Sequence, residues 1–378
     1  MSWLSDAFFY VIPFLLIFTL VVFVHELGHF WAARKNGIAV KTFAIGFGKE
    51  IFGRTDAQGT RWRVNLMPLG GYVLMQGMDE DKEGEEKGEE EAEALACSPF
   101  EKTPRQRFLV SVAGPLGNYL FAILLLSTLY MIVGCPTSSL RVGRALEESP
   151  AAAAGMLPGD VITHIDHAPV TTFQELRNAL NASKRGETIT VGCERKGETL
   201  EKHLVPTYTE KNNLFGRPVP VFSLGVLLEE GEVRSLPLPT ALWRGLTDVG
   251  AMSWDMAAAL GGIFSGAYPV GSLGGPVRIA EMAGDISKTG SLTSILLFIV
   301  TLSINLGLMN LFPLPGLDGG TALFCLFEGL LGRPISNRVR EMVGYAGFMV
   351  ISTLMLLLLG NDLLRLPILQ KFWSFLGL

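Results

Sequence analysis

His25-Glu26-Leu27-Gly28-His29 is a spacing that can bind a metal ion and hydrolyse a bond at it. On an α-helix, residues four apart share a face, so two imidazoles can converge on one cation. Glu26 follows the first of them and can act as general base toward water at the metal. A Zn2+ held in such a site lowers the pKa of its water to about 7 and makes hydroxide available at neutral pH. His25 and His29 are therefore candidate metal ligands, and Glu26 is the candidate catalytic base. The same pentad can arise by chance in a soluble helix. Here, however, the preceding residues 8–24 are almost wholly apolar, and apolar character resumes at Phe30 and Trp31. An ionisable group at bilayer depth costs roughly 2.5 kcal/mol or more, so a cluster of them needs a chemical reason.

The elements that must position this motif are membrane helices. The chain has 378 residues, 49% of them hydrophobic, and its mean hydropathy is +0.36. Those values suit a membrane protein with soluble parts. A net charge of −5 without a basic tract argues against nucleic acid as a partner. Stretches 8–33, 108–133, 292–312 and 342–359 are each long enough to cross a core of ~30 Å. No Lys or Arg precedes Arg34, while Arg34, Lys35 and Lys41, then Arg105 and Arg107, then Arg333, Arg338 and Arg340 flank the spans. With four spans all three clusters fall on one side, which the positive-inside rule makes cytoplasmic. Both termini and the loop 134–291 then lie outside. The N-terminus has no basic region before its apolar run and reads as a retained anchor. His25 lies about 13 Å along the helix from Arg34, inside the membrane and nearer the cytoplasmic face. The four cysteines form no CxxC pair; Cys135 and Cys193 could share a compartment and pair.

A catalytic zinc site usually takes a third protein ligand. The third span ends in Asn310-Leu311-Phe312-Pro313-Leu314-Pro315-Gly316-Leu317-Asp318-Gly319-Gly320. Its prolines break the helix, which lipid tolerates only where protein or a water-filled cavity satisfies the backbone. Asp318 is either a ligand at the depth of the histidines or an interfacial turn residue.

His-Glu-Leu-Gly-His in the first span, with Asn-Leu-Phe-Pro-Leu-Pro-Gly-Leu-Asp-Gly-Gly in a late one, resembles the site-2 protease family of intramembrane metalloproteases. Within it, the chain is most similar to the bacterial regulator of sigma-E protease group. Further family-like stretches are Gly46-Phe47-Gly48, the run from Asn65 through Gly70, Gly71 and Tyr72 to Val73, Ala113-Gly114-Pro115-Leu116-Gly117-Asn118, and Gly274-Gly275-Pro276-Val277. The resemblance implies Zn2+ as cofactor on His25, His29 and Asp318, with Glu26 as base. It implies substrate handling by Asn310, Gly46, Gly48, Gly70 and Gly71. It further implies a zinc metalloendopeptidase, multi-pass in the bacterial inner membrane, with its active site near the cytoplasmic face. Its substrates would be single-span membrane proteins, cut within or near their transmembrane segment after a first cut by another protease, as for an anti-sigma factor.

The fold class expected is a polytopic α-helical membrane protein of about four transmembrane helices. To these are added a membrane-associated β-hairpin-like element and an α+β PDZ-like domain in the extracytoplasmic loop. The expected divisions are 1–37 (first span), 38–76 (hairpin-like region), 77–104 (acidic linker), 105–135 (second span), 139–230 (PDZ-like), 236–290 (interfacial helix region), 291–325 (third span with Asp318) and 326–378 (turn, fourth span and C-terminal segment). Within 38–76, stretches 43–47 and 61–66 read as strands. They form either a membrane-dipping element whose edge holds substrate by β-augmentation or an ordinary cytoplasmic hairpin. The run 79–93 is too acidic to bury a core. In 139–230, strands are expected at 142–146, 160–165, 188–194 and 200–205, with a helix at Phe173–Ala182. The stretch from Glu148 to Asp160 resembles a turn of bacterial PDZ domains. Ser223, Leu224, Gly225 and Val226 resemble the PDZ peptide groove, which could take peptide C-termini or serve as a size filter. His164 and His167 read as surface turn residues. The apolar stripe at 242–263 predicts a helix, either on the membrane surface or in the core of the loop domain. A PDZ scaffold without catalysis and a metal transporter are the competing functions; Glu26 argues against the scaffold, which needs no base beside metal ligands, and the peptide-binding module outside argues against the transporter.

Overall fold

The computed structural model describes residues 2–76, 102–136, 140–212, 218–229, 233–266 and 274–365. The acidic run 79–93 and the segment after 365 lie outside them. Among the described residues, four helices are long and apolar enough to cross a membrane: Phe9–Lys35, Pro104–Ile132, Leu292–Leu311 and Arg338–Leu363. They match the four expected spans.

Helix α1 (Ser2–Lys35) stops at Gly37, whose φ of 68° suits glycine, and the chain turns back as an antiparallel pair, β1 (Val40–Thr55) and β2 (Arg61–Met75). These strands run well beyond the expected 43–47 and 61–66, because each folds over itself. Phe43 pairs with both Val73 and Trp62, and Ala44 with both Tyr72 and Arg63. The first half of β1 is thus flanked on both sides by β2, and 71–75 forms an outer edge. Gly46 and Gly48, at φ 79° and 89°, and Gly70, at φ 84°, make the bends. The pair lies along α1. Phe43 stacks on Trp62 at 4.5 Å and meets Phe23 and Phe30 of α1 edge-on at 5.6 and 5.5 Å. The Asp56 carboxylate accepts from Arg34 and, at 3.0 Å, from Trp62 Nε1, while Thr19 Oγ1 donates to the Pro68 carbonyl at 2.7 Å. The hairpin therefore reaches back beside the apolar part of α1. Helix α2 (Pro104–Ile132) follows.

The loop unit, residues 129–238 with 263–272, has its own core of Val142, Ile162, Ile165, Leu176, Ile189 and Val191. Strands β3 (Val142–Ala145), β4 (Val161–Ile165), β5 (Ile189–Arg195) and β6 (Glu198–Leu204) and helix α3 (Phe173–Ala182) fall where the apolar alternation placed them. Thr172 and Glu175 start α3 with a capping box. A second hairpin, β7 (Thr207–Asn212) with β8 (Pro218–Ser223), was not anticipated, and β9 (Val226–Leu228) pairs with β3. Cys193 is buried as a thiol, so the conceivable bridge between it and Cys135 is not made. Asp160 is fully buried and takes a two-pronged ion pair from Arg195, at 2.6 Å to Nε and 2.8 Å to Nη2. That guanidinium, with the Leu157 N–H, holds the Asp160 carboxyl below the usual carboxylate range against the upward push of burial. The pair's contribution is full above about pH 4 and fades as pH falls through the lowered folded value. Replacing Asp160 by Asn is expected to destabilise this unit by about 3 kcal/mol. Hydrogen exchange on the whole protein should then quicken in peptides of 140–212 while those of α1 and α2 stay protected.

Helix α4 (Leu238–Phe264) coincides with the predicted stripe, but its residues 239–262 belong with the membrane helices and not with the loop unit. A Cβ on Gly245 would overlap Ser127 of α2, and Ala241 and Val249 are buried while Trp243 and Trp254 are exposed. This overturns the reading as a core helix of the loop domain. Helix α5 (Pro276–Lys288) starts at Gly275, whose N–H, with that of Arg278, donates at 3.1 Å to Asp362 of the last helix. Helix α6 (Leu292–Leu311) ends where Pro313 and Pro315 remove backbone donors, and α7 (Asp318–Leu331) starts afresh. The expected boundary at 325/326 therefore falls inside a helix. Its cause lies in packing: Glu328, nearly fully buried, accepts from Arg107 of α2, from the Ile335 N–H at 3.0 Å, and at 2.6 Å from Arg340 of α8 (Asn337–Arg365).

Candidate metal centre

His25 and His29 stand one turn apart on α1, both buried, with their Nε2 atoms 3.2 Å from each other. Asp318 Oδ2 lies 3.0 Å from His25 Nε2 and 3.3 Å from His29 Nε2. Among the described residues, this is the one cluster of His, Cys, Asp or Glu donors arranged to hold a metal. Asp318 reaches the cluster because α7 begins at that residue, directly beyond the proline break. A Cβ on Gly319 would overlap the Leu311 and Phe312 carbonyls, and one on Gly320 the Leu314 carbonyl, so the two glycines let the helix restart against the chain it has just left. Asp318 thus stands beside His25 and His29.

The donor set fits zinc. Two facing Nε2 atoms and a carboxylate oxygen are a cation's ligands, two nitrogens and one oxygen, which is a common catalytic zinc combination. Ligand bonds of about 2.0–2.1 Å in a tetrahedron separate donors by about 3.3–3.4 Å, against 3.0, 3.2 and 3.3 Å here. His29 Nδ1 lies 2.8 Å from the Val110 carbonyl. A carbonyl only accepts, so the proton sits on Nδ1 and the Nε2 lone pair is available to a metal.

Close contact between α1 and α2 makes this possible. A Cβ on Gly28 would overlap the Ala113 carbonyl, one on Gly114 the His29 ring, and one on Gly117 would stand 3.2 Å from the Val24 carbonyl. Small residues are what allow membrane helices to approach this closely. Asn118, on the same face of α2, is fully buried against His25, with Nδ2 3.3 Å from Nδ1.

A cavity of about 680 Å3 opens on the cluster, lined by His25, Glu26, His29, Tyr72, Val73, Asn310 and Asp318, among others. Tyr72 and Val73 line this cavity together with Glu26, so the outer edge of β2 faces the base. Asn310, on the last turn of α6, reaches the same cavity. Of the glycines expected to handle substrate, Gly71 lies beside Glu26, where any side chain would crowd the Ala44 carbonyl. Gly46, Gly48 and Gly70 serve the bends of the hairpin and do not line the cavity. In the loop unit, a pocket of about 420 Å3 is lined by residues such as Ser149, His203 and Thr207, and not by Ser223, Leu224, Gly225 or Val226. The Leu224 and Gly225 carbonyls accept from the Ala151 and Leu146 N–H groups, which ties that loop to its own domain. Asn118, Val110 and Gly114 escaped notice as site residues. The signal available was a polar side chain in an apolar helix, beside two glycines.

The chain is similar to known proteins along most of its length. Residues 13–354 match the model of peptidase family M50. A protein of Agrobacterium fabrum named as a candidate zinc metalloprotease is 35% identical over 366 residues, covering 94% of this chain and 95% of its own. The metalloprotease MmpA of Caulobacter vibrioides is 32% identical over 387 residues, covering 94% of this chain and 95% of its own. A crystal structure of the PDZ domain of an SdrC-like protein from Listeria monocytogenes covers 26% of this chain and 94% of that one, at 22% identity and a TM-score of 0.20.

Proposed function

The chain belongs to peptidase family M50 and is a metalloprotease, and from that premise we propose a zinc-dependent endopeptidase that cuts single-span membrane proteins within or near their transmembrane segment. The observation that carries this reading is the placing of His25, Glu26 and His29 on a helix apolar enough to span a bilayer, with Asp318 beside the histidines and the group open to a cavity edged by a strand. His25, His29 and Asp318 would hold the zinc, which when bound supplies water activation and carbonyl polarisation. Glu26 takes the proton of the attacking water on its carboxylate and delivers it to the leaving amine nitrogen. A peptide bond within a helix is shielded by its own hydrogen bonds, so the substrate must unwind. The edge 71–75 offers it backbone partners by strand addition, directly beside Glu26. Asn310 steadies the same strand from the opposite side of the break.

The hairpin carries Ile51, Phe52, Leu66 and Met67 more than half exposed, which supports its dipping into lipid. With the basic residues cytoplasmic, the centre lies near the inner face of a bacterial inner membrane, and the PDZ-like unit lies outside. There it binds peptide ends or excludes substrates with bulky outer domains. The test is cleavage of a single-span substrate in detergent by wild type and Asp318→Asn, with zinc measured in both. We expect a cut inside the span by wild type, and for Asp318→Asn more than about a hundredfold loss of zinc affinity together with loss of cleavage. Cleavage confined to soluble unfolded peptides would overturn the intramembrane reading, and full zinc in Asp318→Asn would remove Asp318 from the ligands.

A further inference from the structure

The buried amide of Asn118 has no role in the mechanism above, and its geometry gives it one. In one orientation of the amide, Nδ2 lies 3.3 Å from His25 Nδ1, and Oδ1, buried, has no hydrogen-bond partner. An amide that donates to Nδ1 forces the His25 proton onto Nε2. That is the wrong tautomer for a ligand, because Nε2 is the atom that faces His29 Nε2 and Asp318. Half a turn of the amide exchanges its oxygen and nitrogen, which are told apart only by their hydrogen bonds. Oδ1 then accepts from Nδ1–H and the Nε2 lone pair is free.

We infer that Asn118 is a positioning residue which accepts from His25 Nδ1–H, fixing the ring and tautomer for zinc as the Val110 carbonyl does for His29. Two features hold it in place. Ser303 Oγ of α6 donates to the Asn118 backbone carbonyl at 3.0 Å, with both residues wholly buried. Gly114 and Gly117 bring this turn of α2 against α1. A polar side chain sunk in an apolar helix is costly unless something uses it, and the two ligand histidines are each held from behind by an acceptor on α2. The inference rests on zinc binding at His25, His29 and Asp318.

The experiment measures zinc affinity by chelator competition on detergent-solubilised wild type, Asn118→Leu and Asn118→Asp, with helix content and melting of the metal-free proteins as a check on folding. Leu matches the size of Asn and cannot accept; Asp can only accept when ionised. Removal of a group that orients a metal ligand typically costs 10–100-fold in affinity, so roughly that loss is expected for Leu, with Asp within a few-fold of wild type. Wild-type affinity in Asn118→Leu, or equal loss in both variants, would overturn the assignment while leaving the zinc site intact. Absence of zinc from wild type would overturn the protease reading and this one together. Should neither variant fold, wild type labelled with 15N at its five histidines decides. A slowly exchanging Nδ1–H on zinc-loaded His25 supports the inference, and rapid exchange of that proton refutes it.

Discussion

Replacing Glu26 by Gln is expected to lower kcat/KM on a single-span substrate by roughly 10²–10⁴, the range a positioned general base supplies, with zinc still bound at wild-type stoichiometry. Gln has nearly the shape of Glu and fits the same space beside Gly71 and Val73, so the strand edge stays beside the metal cluster. What it cannot do is take a proton from water. Glu26 itself is not among the donors that converge on the metal position, which are His25, His29 and Asp318. The variant therefore separates base chemistry from metal binding. Loss of both zinc and cleavage would make Glu26 a ligand. Retention of both would leave catalysis without this base and bring the scaffold reading forward.

The parts of this molecule that could be read from sequence are those governed by local pattern. The spans follow from apolar length alone. The pairing of His25 with His29 follows from helical spacing in α1, while Asp318 as their third partner rests on the family resemblance, since the broken segment alone leaves it open; the strands of the loop unit follow from alternation. What escaped is set by tertiary contact. The fold-back of β1 and β2 depends on which half of each strand pairs with which, and β2 runs on through Gly70-Gly71, where the sheet bends, beyond the stretch that reads as a strand. Helix α7 runs past the expected boundary because Glu328 finds Arg107 and Arg340, residues far from it in sequence. Asn118 escaped for the same reason: its polarity was visible, but not its partner.

The glycines at the crossing of α1 and α2 carry the second large effect. Replacing Gly114 by Ala is expected to abolish stoichiometric zinc binding, although a lone Gly-to-Ala change in a helix ordinarily stabilises it by roughly 0.5–1 kcal/mol. The added methyl would coincide with the His29 ring. Either the ring leaves its position, breaking the Nδ1 contact with Val110, or α2 retreats and takes Val110 and Asn118 with it. Each path separates donors that now lie 3.0–3.3 Å apart. A crowded site of this kind costs roughly 1–3 kcal/mol in stability, while the metal affinity falls by more because two ligands lose their supports together. Gly360→Ala in α8 is the control, since nothing lies within 4 Å of its added Cβ. It should keep full zinc and melt at or slightly above wild type. Gly28→Ala should behave like Gly114→Ala, because its methyl would meet the Ala113 carbonyl across the same crossing. Zinc content and melting temperature measured on all three variants test the argument. If Gly114→Ala binds zinc as Gly360→Ala does, the helices have slack at the crossing and the close approach is not what assembles the centre.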